Sequence, residues 1–149
     1  MTKEKEKQFR RMVNRVTSTG RTQEMKNYVQ HGTVTTYDHC LSVAEMSYRL
    51  KEWLHLSVNE EEMIRGAMLH DYFLYDWHHH DGPLHGFYHP VAALANANRD
   101  FDLSPREQNI IYSHMWPLTI TKLPKSREAW LVSVADKIVS TKETLFQRS

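Results

Sequence analysis

The chain holds a single cysteine, Cys40, among its 149 residues. One thiol excludes an internal disulfide and any zinc site built from several cysteines. Charge of one sign is also not in excess: 19 Lys+Arg against 18 Asp+Glu leave a net charge of +1. Without a strong positive field, DNA is not an expected partner. No stretch of about 18 apolar residues exists to span a membrane, so no membrane partner is expected either. Residues 1–10 are mostly polar and charged with no apolar run behind them. No secretory leader is therefore expected, and the cytoplasm is the expected compartment. What is present is ordinary globular composition, 40% hydrophobic and 25% charged. A chain of this length suits one domain that buries roughly 68–70% of its unfolded surface.

The pattern is helical almost throughout, and no strand pattern of period two persists. Phe9, Met12, Val13 and Val16 recur at helical spacing, which predicts a first helix from Met1 to about Val16. Thr17-Ser18-Thr19-Gly20 marks a loop, and Thr22–His31 is read as a second helix ended by Gly32. Thr35 caps a long helix that carries His39 in its first turn. Asn59 caps another, with Glu60-Glu61-Glu62 at its positive end and His70-Asp71 at its close. Tyr75–Tyr88 reads as a loop around Asp81-Gly82-Pro83. His89-Pro90 then opens a helix, with Pro90 in the first turn. Ser104-Pro105-Arg106-Glu107 is a capping box ahead of Ile110, Ile111 and His114. Pro117 and Pro124 bracket a loop before a last helix capped by Ser126. The expectation is an all-α bundle of about six or seven helices. It forms one domain over 1–149, with a helical extension over 1–30 and a core over 31–145.

Histidine is the residue in excess. Of ten, six (His70, His78, His79, His80, His85, His89) fall between positions 70 and 89. Asp136 interrupts the apolar run Val132–Val139, so it is expected to point inward. A buried carboxylate must be paired, hydrogen-bonded or bound to a cation. Imidazoles and carboxylates gathered at helix ends, with no thiolate, suit a borderline divalent metal.

The order His39 … His70-Asp71 … Asp136 resembles the HD-domain superfamily of metal-dependent phosphohydrolases. The local text agrees: Tyr37-Asp38-His39 with Ser42-Val43-Ala44, Gly66-Ala67-Met68-Leu69-His70-Asp71, and Ala135-Asp136-Lys137. The resemblance spans about residues 30–145 and implies a compact all-helical bundle. It implies that His39, His70, Asp71 and Asp136 hold one metal. In the two-metal branch, Asp71 bridges to a second ion held by His89 and His114. The ions implied are one or two of iron, manganese, nickel, cobalt or zinc. The implied reaction is hydrolysis of a phosphate ester of a small molecule, a nucleotide among the candidates, by a metal-activated hydroxide. Lys137, with Lys122, Lys125 and Arg127 nearby in sequence, is expected to meet phosphoryl oxygens. Asp76, His78 and His85 are the candidate proton donors to the leaving group.

Departures from the family narrow the substrate. The Gly-Lys that follows the doublet in many two-metal members is replaced by Tyr72-Phe73-Leu74-Tyr75-Asp76. The Gly-Tyr-Pro motif of cyclic-di-GMP phosphodiesterases is absent, and Leu74 stands where one-metal nucleotidases carry glutamate. Two alternatives accompany the hydrolase: a di-iron oxygenase built on the same six ligands, and a non-catalytic signalling or scaffold domain. Neither the substrate nor the oligomeric state is encoded in any motif.

Overall fold

The computed structural model describes residues 1–31, 33–72 and 85–146. Six α-helices carry the described chain: α1 (Lys3–Thr17), α2 (Thr36–Trp53), α3 (Glu60–Leu69), α4 (His85–Asp100), α5 (Pro105–Ser113) and α6 (Arg127–Phe146). A 3-10 turn over Thr22–Asn27 and a two-stranded antiparallel ribbon, β1 (Val29–His31) and β2 (Val34–Thr35), connect α1 to α2. The protein is all-α, and no helix among the described residues is long and apolar enough to cross a membrane.

Local chemistry sets the helix starts. The Thr35 hydroxyl accepts from the Asp38 N–H at 3.1 Å, and the Asn59 side chain accepts from the Glu62 N–H at 3.0 Å. Ser104 and Glu107 close a reciprocal capping box with Pro105 at the first helical position. Ser126 Oγ accepts from the Ala129 N–H at 3.0 Å at the head of α6.

Helix α2 is the central element, packed against α3 on one side and α6 on the other, and α5 bridges α3, α4 and α6. Between them lie the fully buried Met63, Ile64, Met68, Leu69, Ile110 and Ile111. Helix α1 lays Phe9, Met12, Val13 and Val16 over α3 and α2, with Phe9 edge-on to Tyr48 at 5.7 Å. Tyr72, just past the doublet, is fully buried. Its hydroxyl accepts from the Arg21 N–H at 2.8 Å and donates to Asp100 at 2.6 Å, which joins the α1 exit to the end of α4.

Two sequence expectations change here. Thr22–His31 is not one helix. Arg21 gives no side-chain cap to the 3-10 turn, and Tyr28 leaves it extended. The Tyr28 carbonyl accepts instead from the Thr36 N–H at 2.7 Å, which folds the ribbon back toward α2. Helix α4 begins at His85 rather than His89, so Pro90 stands inside the helix. Only about one turn precedes it, so the missing N–H removes a single bond near the helix start.

Candidate metal centre

Six side chains meet where the ends of α3 and α5 approach α2, α4 and α6. His39 comes from the first turn of α2, and Asp136 from the middle of α6. His70 and His114 are the C-caps of α3 and α5, with nearly equal backbone angles (φ −64°, ψ −26° and φ −64°, ψ −21°). Each donates Nδ1–H to the carbonyl three residues back: His70 to Ala67 at 2.6 Å, His114 to Ile111 at 2.7 Å. That bond places a proton on each Nδ1 and turns each Nε2 toward the interior. All six residues are buried.

Asp71 divides the cluster in two. Its Oδ2 lies 3.4 Å from His39 Nε2 and 3.3 Å from His70 Nε2. Its Oδ1 lies 2.7 Å from His89 Nε2 and 3.3 Å from His114 Nε2. On the first side Asp136 Oδ1 is 2.9 Å from His39 Nε2 and 3.3 Å from His70 Nε2. On the second, His89 Nε2 and His114 Nε2 face each other at 2.9 Å. The donor atoms of His39, His70, Asp71 and Asp136 all lie within 4.8 Å of one another, as do those of Asp71, His89 and His114.

Electrostatics follow the same division. Burial works against a charged His39 ring, but hydrogen bonds to Asp136 and Glu143 overcome it and push the pKa up to about 10. Burial likewise opposes a charged His70, yet Asp71 beside it raises the pKa well above that of free histidine. Burial disfavours the Asp71 and Asp136 anions, but imidazoles at His70 and His89, and at His39 and His70, hold both carboxyls well below the usual range. His114 moves the other way, lowered by burial, which keeps it neutral.

The donor set fits divalent cations. Three of the four rings have Nδ1 occupied, by Glu143, the Ala67 carbonyl and the Ile111 carbonyl. Each of those rings therefore offers Nε2 inward, beside carboxylates that are already ionised. Nitrogen and oxygen donors without sulfur suit zinc, manganese, iron, cobalt or nickel.

The structure also places the residues expected to handle substrate. Lys137 directs Nζ to Ser133 Oγ at 2.9 Å and to the carbonyls of His114 and Ser133 at 3.3 Å each. Its ammonium braces the end of α5, and a phosphate contact would require exchanging those bonds. Arg127 donates to the Ser57 carbonyl at 3.0 Å, and Lys122 stands 4.9 Å from the centre of the Tyr112 ring. The Lys125 N–H donates to Asn109. Asp76 and His78 lie outside the described residues, and so does the side chain of His85 in the first turn of α4. One participant was missed in the sequence: Glu143, whose Oε1 accepts from His39 Nδ1 at 2.7 Å. It lies seven residues after Asp136 on α6, and that spacing is the signal that could have found it.

A protein-family model described as the HD domain matches residues 36–140. No curated protein and no solved structure matches the chain significantly.

Proposed function

The chain belongs to the HD domain family, and from that premise we propose that it is a metal-dependent phosphohydrolase of the two-metal kind. Its substrate is the phosphate ester of a small molecule, with nucleotides in the candidate class. The observation that carries the reading is the split of Asp71: one carboxylate oxygen with His39 and His70, the other with His89 and His114. His39, His70, Asp71 and Asp136 would hold one ion, and Asp71, His89 and His114 the other. When bound, such ions supply Lewis-acid charge for phosphoryl oxygens and lower the pKa of a coordinated water. The chain's own residues orient and insulate. Carbonyls at Ala67 and Ile111 hold two rings, and burial of all six side chains excludes competing water. Asp76, His78 and His85 are the proposed proton donors to the leaving group, and Lys137 the proposed contact to phosphoryl oxygen.

The test is metal content per chain, on protein purified without chelators, alongside phosphate release from a panel of small phosphate esters. Two ions per chain and metal-dependent release are expected. His114→Ala should reduce two ions to one, and Asp71→Ala should abolish release. Activity that survives Asp71→Ala, or a chain that takes up no metal even in excess, would overturn the proposal. Two irons with oxygen uptake in place of phosphate release would make it an oxygenase.

A further inference from the structure

Glu143 lies outside the six-residue cluster yet touches it. From α6 it reaches back to His39 Nδ1 at 2.7 Å, while Asp136, two turns earlier on the same helix, meets His39 Nε2 at 2.9 Å. Two turns of helix span about 10.8 Å, and the His39 ring bridges that gap with one nitrogen on each carboxylate. Ser140, on the same stripe, stands 3.4 Å from Asp136 Oδ1. The Glu143 side chain is 9% exposed, on the floor of a groove of about 350 Å³ between α2 and α6, beside Met46, Arg49, Val139 and Lys142.

His70 and His114 have backbone carbonyls as their Nδ1 acceptors because both rings fold back over the helix they end. His39 is held differently, with Nδ1 2.7 Å from Glu143 Oε1. It stands in the first turn of α2, where the carbonyls behind it belong to the helix start. Its acceptor comes from another helix, α6, and a carboxylate makes a stronger acceptor than an amide carbonyl. We infer that Glu143 is the positioning residue of His39: it accepts the Nδ1 proton, fixes the ring plane and tautomer, and thereby presents Nε2 to the metal. The inference rests on His39 being a metal ligand, as proposed above. Partners of this kind typically govern metal affinity by about 10–100-fold.

The experiment uses Co²⁺ alone as the probe, titrated against a competing chelator. It compares the wild-type chain with Glu143→Gln, Glu143→Leu and His39→Ala. Glutamine and leucine are close in volume to glutamate, but only glutamine keeps an acceptor for Nδ1–H. Co²⁺ affinity is expected to fall by about 10–100-fold in Glu143→Leu and to stay within about threefold of wild type in Glu143→Gln. Circular dichroism melts of the metal-free variants report folding independently. In the zinc-loaded wild-type chain, ¹H–¹⁵N correlation of the imidazoles is expected to find the His39 proton on Nδ1, a readout that needs no variant. Leucine binding as tightly as wild type would overturn the inference, as would glutamine falling as far as leucine or a proton found on His39 Nε2. If instead the wild-type chain and His39→Ala bind Co²⁺ alike, the ligand assignment of His39 itself fails. That result is separable from every outcome at Glu143.

Discussion

Gly66 is where a single methyl group should disturb both the fold and the metal centre. A Cβ at this position on α3 would lie 2.7 Å from Ile110 Cδ1, 2.7 Å from Cγ2 and 2.9 Å from Cβ. Carbon atoms pack comfortably at about 3.5–4.0 Å, so the overlap is about 0.8 Å or more. Ile110 is fully buried on α5, and as a β-branched residue in a helix it has little χ1 freedom. Only Cδ1 can swing aside, so relief requires α3 and α5 to separate. Overpacking of this kind costs about 1–3 kcal/mol, while glycine to alanine inside a helix returns about 1 kcal/mol. Gly66→Ala should therefore destabilise the chain by up to about 2 kcal/mol. At about 2–4 °C per kcal/mol for a domain near this size, that is a fall in Tm of up to about 8 °C. The same wedge spreads the helices that end in His70 and His114, so the loaded variant should also surrender metal to a chelator faster. Differential scanning calorimetry of the metal-free chain reads the first effect. A double-mutant cycle with Ile110→Ala isolates its cause. In that background the new methyl fills space instead of colliding, and Gly66→Ala should become neutral or stabilising. A Tm that rises in Gly66→Ala alone would mean that helix propensity decides and that α3 and α5 are not in hard contact.

Two further outcomes follow from charge. His39 and His70 carry raised pKa values in the metal-free chain, His39 up to about 10. Both must shed a proton from Nε2 to bind metal, so binding should release protons and the affinity should climb as pH rises across the neutral range. Calorimetry of metal binding in buffers of different ionisation enthalpy measures this, and a heat independent of buffer would contradict it. At the end of α4, Asp100 is held well below the usual carboxylate range by Arg99, against partial burial, and by the Tyr72 hydroxyl. A depressed carboxylate contributes stability above its unfolded-state pKa and loses it as pH falls through the folded-state value. Asp100→Ala should cost about 1.5–3 kcal/mol at neutral pH and progressively less in acid, as urea melts at several pH values would reveal.

The starts of α2, α3, α5 and α6 were legible in the sequence because capping acts over three residues, whereas α4, whose start was read at His89, begins at His85. Thr35, Asn59, Ser104 and Ser126 accept from backbone N–H groups three positions on, and each is visible as a short motif. The six clustered residues were legible because they stand beside helix ends or inside apolar runs, where a polar side chain needs a reason. The misread places lack such local signals. Val29 and Val34–Thr35 pair in a ribbon too short to have a period. Glu143 sits in the unremarkable polar stretch Ser140-Thr141-Lys142-Glu143, and only its distance from Asp136 along α6 connects it to the cluster. Lys137 is a different case. It adjoins Asp136 in sequence, but neighbours on a helix diverge by about 100°. Its ammonium accordingly turns to Ser133 and the end of α5.

The arrangement also says which charge the centre is built to receive. Two helices, α3 and α5, deliver their C-terminal ends to it through His70 and His114. A helix C-terminus carries about half a negative charge, and two of them add to the ionised carboxylates of Asp71 and Asp136. The inward-facing atoms are carboxylate oxygens and Nε2 nitrogens, and in the metal-free chain the protonated rings of His39 and His70 are what the two carboxylates hold. The nearest cation in sequence, Lys137, already directs its ammonium at Ser133 and at the carbonyls of His114 and Ser133. Under the proposed function, divalent cations take the place of the two imidazole protons and raise the positive charge offered to a phosphate ester, so metal binding comes before substrate binding. The negative helix ends, the ionised carboxylates and the fixed tautomers are, on that account, three parts of one arrangement for holding positive charge.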